Sequence, residues 1–234
     1  MSRTFITGDT HIPIDISKLN SENFPEGKTL SKEDVVIVLG DFGLIWSNEE
    51  TKEEKFWKEW LNRKPWTTLF LDGNHENHIL LSKLPIEEKF GGLVGRVSDS
   101  IFHLRRGEIF NINGNSFFCM GGAKSVDKQH RTEFISWWRE EEPLFAELDR
   151  GLNNLAVMGN EVDFILGHTG PISAVRKLGE ICKTDFGDKE ENLNLFFEHI
   201  CGIVRFEKFY FGHYHVDENI DGIFHCVFND IIEI

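Results

Sequence analysis

Phe209-Tyr-Phe-Gly-His-Tyr-His215 is the stretch that decides how the rest of the chain is read. Its aromatic run reads as the end of a buried strand, Gly212 permits a sharp turn, and two imidazoles follow at His213 and His215. Residues two apart on an extended chain project to the same side, so both rings can reach one small volume at the strand end. Two solvent-facing loop histidines would give the same pattern. The choice between a metal site and a loop rests on whether other strand ends bring further donors.

Four other apolar runs end in the same way. Thr4-Phe-Ile-Thr-Gly8 leads into Asp9-Thr-His11. Asp34-Val-Val-Ile-Val-Leu39 has the unbroken apolar character of a strand covered on both faces, and it stops at Gly40-Asp41. Thr67-Thr-Leu-Phe-Leu71 runs into Asp72-Gly-Asn-His-Glu76, which offers Asn74 and His75, and Val162-Asp-Phe-Ile-Leu166 runs into Gly167-His168-Thr169. Repeated placement of a donor just after an apolar run, with glycine before it, points to one shared metal site. Carboxylate, carboxamide oxygen and imidazole without thiolate suit Mn, Fe or Zn, and imidazole weighs against Ca. A shared carboxylate can hold two ions about 3.5 to 4 Å apart, the arrangement used for in-line phosphoryl displacement.

Between these runs, charged residues interleaved with Phe56, Trp57, Trp60 and Leu61 predict an amphipathic helix over 49–64, ended by Pro65, with its aromatics in the core. Strand, helix, strand in this order implies a right-handed parallel unit whose functional loops gather at the carboxyl ends of the strands. Residues 12–34 read as a long polar loop bordering a site, and 79–84 as a short helical stretch. Short strands are expected at 101–104, 108–112 and 116–120, with Asn113-Gly-Asn115 as a hairpin turn, which gives this half an antiparallel character. The loop 121–131 carries Lys124, Lys128, His130 and Arg131 and reads either as a solvated surface or as the substrate side of the site. A helix over 132–150 is expected to bury Phe134, Ile135, Trp138, Leu144 and Leu148, with Pro143 kinking or splitting it. Another helix is expected over 190–201, then a closing hairpin over 224–234.

A chain of 234 residues can bury one well-filled core, and no linker divides it, so a single domain over 1–234 is expected. Twenty-five basic against thirty-nine acidic side chains leave a formal charge of -14. That charge weighs against extended duplex nucleic acid and anionic membrane as partners, unless a local cationic site such as a pair of bound ions overrides it. Cys119, Cys182, Cys201 and Cys226 are widely spaced in mostly apolar surroundings, as free thiols in a reducing compartment would be. The start of the chain runs straight into a strand, and no apolar run approaches about 18 residues, so a soluble cytoplasmic protein is expected.

The blocks Asp9-x-His11, Gly40-Asp41, Gly73-Asn74-His75-Glu76, Gly167-His168 and Gly212-His213-x-His215 resemble, in order and over nearly the whole chain, the calcineurin-like metallophosphoesterase family. The resemblance implies an α/β fold of two facing mixed sheets flanked by helices, a four-layer αββα sandwich. It implies that Asp9, His11 and His215 hold one metal ion, that Asn74, His168 and His213 hold a second, and that Asp41 bridges them. His75 would face the substrate and protonate the leaving oxygen. Serine/threonine phosphatases of the family follow the bridging aspartate with Asp-Arg-Gly and place arginine before the Gly-Asn-His-Glu block. Here Asp41 is followed by Phe-Gly-Leu-Ile-Trp46 and Gly73 is preceded by Asp72, which disfavours a protein phosphatase and leaves open what orients His75. Cations of the 121–131 loop, Lys124 and Arg131, would take the place of the missing phosphate-binding arginines.

The expected activity is hydrolysis of phosphate mono- or diesters, of a phosphorylated small molecule or nucleotide. A metal-bound hydroxide would attack phosphorus, Asp41 would hold both ions and His75 would assist departure. A nuclease or cyclic-nucleotide phosphodiesterase is the alternative among enzymes. A metal-containing scaffold that binds a partner without turnover is the alternative outside them, and the intact donor positions and His75 weigh against it.

Overall fold

The computed structural model describes residues 2–186 and 192–234. In chain order the strands are β1 (Thr4–Thr7), β2 (Val35–Val38), β3 (Thr67–Phe70), β4 (Ile86–Lys89), β5 (Gly92–Ser98), β6 (Ile101–Leu104), β7 (Glu108–Ile112), β8 (Asn115–Met120), β9 (Phe164–Gly167), β10 (Lys208–Phe211), β11 (Glu218–Ile220), β12 (Phe224–Cys226) and β13 (Ile231–Glu233). The α-helices are α1 (Lys52–Asn62), α2 (His78–Ser82), α3 (Phe145–Val157), α4 (Ile172–Cys182) and α5 (Asn192–Ile203). A 7-stranded sheet has the order β13-β1-β2-β3-β6-β5-β4, and a 6-stranded sheet the order β11-β12-β10-β9-β8-β7. Both are mixed: β1, β2, β3 and β6 run parallel in the first, β8, β9, β10 and β12 in the second, with antiparallel strands outside.

Strand alternation explains the layers. Val35, Ile37 and Leu39 join Leu69 and Leu71 in a central cluster with Phe117, Cys119, Leu166 and Tyr210 of the other sheet. Their neighbours Val36 and Val38 point the opposite way, onto Leu61 of α1 and onto Ile16, Leu19, Phe24 and Trp66. On the second sheet Phe118, Ile165, Phe209 and Phe211 pack outward on Leu155 of α3, Leu178 of α4, and Phe197 and Ile200 of α5. Central strands covered on both faces read as continuous apolar runs for this reason. Each buried Leu, Ile, Val or Phe contributes about 1.5–3 kcal/mol to holding the sandwich together. Among the described residues no helix is long and apolar enough to cross a membrane. All four cysteines are free, Cys119 and Cys226 being buried.

Several elements differ from the sequence expectation. Helix α1 starts only after Thr51, whose side chain accepts the N–H of Glu54 while the Glu54 carboxylate accepts that of Thr51. Its Phe56 is 55% exposed, and Trp57 and Trp60 are half-buried at the margin of the outer cluster. No α-helix covers 132–144. Phe134 has φ 65°, the carbonyls of Glu140 and Glu141 accept from Arg106 instead of continuing a helix, and α3 begins beyond Pro143. Of the apolar side chains expected to be buried there, Trp138 is buried and Leu148 is packed, while Phe134, Ile135 and Leu144 are exposed. Strands β12 and β13 form no hairpin: β12 lies parallel to β10, and β13 crosses to pair antiparallel with β1 of the other sheet. The helix expected over 190–201 is α5, and the start of that range lies outside the described residues. Strands β4, β5 and β11 and helix α4 lie where the sequence pattern predicts no element.

Candidate metal centre

The carboxyl ends of β1, β2, β3, β9 and β10, three from one sheet and two from the other, meet at one place. Asp9, His11 and His215 bring their ligand atoms within 4.8 Å of one another, as do Asp41, His168 and His213. Asp41 lies between the two groups. Its Oδ2 is 3.2 Å from His11 Nε2 and its Oδ1 is 3.3 Å from His168 Nε2. Asn74 Oδ1 is also 3.3 Å from His168 Nε2.

The backbone is bent hard to achieve this. His11, Asp41, His213 and His215 have φ of 33°, 45°, 71° and 53°, the left-handed region that side chains other than glycine seldom occupy. Such strain persists only where the surrounding structure holds it, and here it coincides with the convergent donors. Gly73 is required by proximity, since a Cβ there would lie 2.2 Å from Asp41 Oδ1. Gly40, at φ 95°, is required both by conformation and by the His168 ring that a Cβ would strike.

Fixed partners orient the rings. His168 Nδ1 donates to the Leu39 carbonyl at 2.7 Å, which leaves Nε2 facing Asp41 and Asn74. His11 Nδ1 meets Asp15 Oδ2 at 2.9 Å, so its Nε2 faces inward. His215 stacks on Phe228 at 4.7 Å, and Lys18 Nζ reaches the carbonyls of Asp9, at 2.7 Å, and of Phe228. Burial would lower the His168 pKa, but the Asp41 and Asp9 carboxylates outweigh it and push it up to about 10. The same opposition, with Asp41 as the main partner, raises His11 to about 9. Burial lowers His213 to about 4. Despite its burial, His168 and His11 hold Asp41 well below the usual carboxylate range. Two fully buried carboxylates thus draw positive charge into this volume, and the buried Asp9 Oδ2 has only the His215 imidazole beside it, Nε2 at 3.1 Å and out of line for a full hydrogen bond. A cation held by these oxygens and imidazole nitrogens answers both facts, and the donor set fits a borderline divalent ion.

His75 stands at the mouth of the centre. Its backbone N–H donates to Asp41 Oδ1 at 2.7 Å, Trp46 lies nearly parallel to its ring at 6.1 Å, and an Arg131 Nη sits 2.9 Å from its Nε2. Arg131 is steadied by Asp127 at 2.8 Å and by the Ser136 carbonyl at 3.3 Å. Burial, opposed by Asp41 and reinforced by Arg131, lowers the His75 pKa. The question of what orients this ring is therefore answered by Trp46 and Arg131, which are distant in sequence and carry no local signal tying them to His75.

Glu76, the last residue of the Gly73-Asn74-His75-Glu76 block, is buried and has a structural role that its sequence position does not reveal. Its buried carboxylate takes the N–H groups of Phe42, Gly43 and Gly73 at 2.5, 3.3 and 2.6 Å, which sews the loop after β2 to the loop after β3. Burial and the nearby Asp41 push its pKa up to about 8. Asp72 turns away from the centre to an ion pair with Arg106 at 2.6 Å and to His103 at 2.9 Å. A cavity of about 590 Å³ opens beside His213, with Lys124 and Lys128, Trp137, Leu193 and Tyr214 in its walls. Lys124 therefore lines the approach, while Arg131 reaches His75.

A comparison with curated proteins gave no match. The calcineurin-like phosphoesterase family model matches residues 2–224, a span that includes every donor described above. The two mixed sheets, the αββα layering and the paired donor groups are those of a metal-dependent phosphoesterase. The chain belongs to the calcineurin-like phosphoesterase family.

Proposed function

We propose that the protein hydrolyses small phosphate esters at a dinuclear metal centre, with Asp9, His11 and His215 holding one ion, Asn74, His168 and His213 the other, and Asp41 both. The observation that carries this reading is Asp41 itself, whose two oxygens face histidines of different donor groups at 3.2 and 3.3 Å. Ions of the Mn, Fe or Zn type would supply an activated water and neutralise charge on the phosphoryl oxygens.

The chain's own groups do the rest. The Leu39 carbonyl and Asp15 engage Nδ1 of His168 and His11, which points Nε2 of each ring inward, where an ion would take the place of its proton. Arg131 takes phosphate oxygens through its fork of N–H groups, and its departure from Nε2 removes a cation that holds the His75 pKa down, so that Nε2 can take up a proton from water and pass it to the leaving oxygen. Trp46 holds the imidazole plane meanwhile. The cavity beside His213, of a size that suits a small organic ligand, supports an ester that carries an organic group such as a nucleoside. This favours nucleotides and other small organic mono- or diesters over phosphorylated protein.

The test is metal analysis of the purified protein together with hydrolysis of a panel of model mono- and diesters. Two ions per chain with ester hydrolysis is the expected result. One ion or none in active protein would overturn the dinuclear assignment, and a metal-loaded protein inert towards every ester would return the scaffold reading.

A further inference from the structure

We propose that Ser125, clamped by Glu141, is a positioning residue that aims the amide oxygen of Asn74 into the metal centre. The proposal rests on the reading of Asn74 as a metal donor given above. A carboxamide has an oxygen and an NH2 of nearly the same shape, and the oxygen is the end that suits a hard or borderline cation. Some partner must therefore decide which end faces His168.

The hydrogen bonds around Ser125 make that decision. Glu141 accepts the Ser125 backbone N–H on Oε1 at 2.9 Å and the Ser125 hydroxyl on Oε2 at 2.6 Å. With its proton given to a carboxylate, the hydroxyl has lone pairs left to offer and accepts from Asn74 Nδ2 at 3.2 Å. A flipped amide would set its oxygen against those lone pairs, so the NH2 group stays on the Ser125 side and Oδ1 stays on the side of His168 Nε2. Asn74, Ser125 and Glu141 are 4%, 2% and 1% exposed, so solvent has little access to replace the lost partner. The clamp is itself anchored, since Gly122 N donates to the Asp72 carbonyl at 2.8 Å and Arg106 grips the Glu141 carbonyl at 3.1 Å. The three groups lie on separate parts of the chain: the loop after β3, the loop after β8, and the 3-10 turn Arg139–Glu141.

Loss of a hydrogen-bond partner behind a metal ligand costs about 10- to 100-fold in metal affinity. Ser125→Ala should weaken one of the two ions by that factor in chelator competition, with the other ion retained. The decisive arm is a double substitution. Asn74→Asp presents oxygen at both ends and has no orientation to lose, so Ser125→Ala should cost little in that background. An equal loss in both backgrounds would overturn the proposal, as would unchanged metal affinity in Ser125→Ala alone. Should Ser125→Ala fold poorly, the Ser125→Thr and Ser125→Val pair, alike in shape, repeats the comparison, with affinity kept by Thr and lost by Val. Unaltered metal binding in Asn74→Ala would instead remove Asn74 from the donors, a failure of the parent reading that the Ser125 variants alone would not produce.

Discussion

The Arg131 guanidinium lies 2.9 Å from His75 Nε2 and donates to it, so the nitrogen best placed at the mouth of the centre is occupied as an acceptor. A phosphate dianion competes for the same guanidinium with two charged oxygens, and charge-assisted pairing favours it over a neutral ring. Arg131→Ala should raise KM for phosphorylated substrates by about 10- to 100-fold, the worth of one hydrogen-bonded charge pair, with little change in melting temperature. Arg131→Lys should recover only part of this, because a point charge does not reproduce the fork. Unchanged kinetics across an ester panel would return the 121–131 loop to the solvated surface.

His75→Ala should lower turnover of alkyl esters by about 10²- to 10⁴-fold, as expected for a positioned acid. Nitrophenyl esters should suffer far less, since their leaving group departs without a proton. Both metals should stay bound. Equal losses on the two ester types would remove the acid role, and loss of an ion would make His75 a ligand, a role its place within 4.8 Å of His11 and Asp41 donor atoms leaves room for.

Asp41→Asn should lower occupancy at both metal positions together, because each oxygen faces a different donor group. Elemental analysis of the variant checks this. Two ions per chain with unchanged activity would end the bridging assignment.

Glu54 links fold to site through the turn that carries Trp46. Its carboxylate accepts the N–H groups of Trp46, Ser47 and Thr51 at 3.0, 2.7 and 2.7 Å. Burial opposes ionisation, but the N–H groups of Ser47, Thr51 and Trp46 outweigh it and hold the pKa below the ordinary glutamate value of 4.5. A depressed carboxylate contributes stability above its unfolded pKa and loses it as pH falls through the folded value. Glu54→Ala should therefore cost about 1–3 kcal/mol at neutral pH, and thermal melts should show the gap from the parent closing below pH 4.5. A gap that persists to low pH would mean that the carboxylate charge contributes nothing.

The cavity beside His213 should show itself in esters that share one leaving group. With nitrophenolate departing in each case, a nucleoside 5′-phosphate nitrophenyl diester should exceed the methyl diester in kcat/KM. Trp137→Ala should narrow that advantage by about tenfold, the scale of one aromatic contact. Equal rates for the two diesters would empty the cavity of any role in recognition.

The strand ends were legible because each is a local event, an apolar run, a turn and a donor, and nothing distant is needed to see it. The layering followed from the same runs, since Val36 and Val38 had to be covered as well as Ile37. The segment 132–144 misled because Phe134 and Trp138 stand at helical spacing. One turn does form, the Thr132 carbonyl accepting from Ile135, Ser136 and Trp137, but it goes no further: the Trp137 carbonyl is taken by the Phe134 N–H, and those of Glu140 and Glu141 are drawn to Arg106. Trp46 against His75 and Ser125 against Asn74 were out of reach for the opposite reason, being contacts between loops that periodicity does not relate.

The centre is closed by a contact between segments far apart in the chain. The backbone N–H of His213 donates to Asp9 Oδ1 at 3.1 Å across 204 residues. Contacts so far apart close late, because the entropy of joining distant segments is lost before the contacts form. Until β10 docks between β9 and β12, Asp9, His11, Asp41, Asn74 and His168 lack His213 and His215, a partial set with less to hold a cation. On the proposed ligand assignment, full metal capture should follow the closing of these long-range contacts, so that a loaded centre would mark a chain whose two sheets have come together.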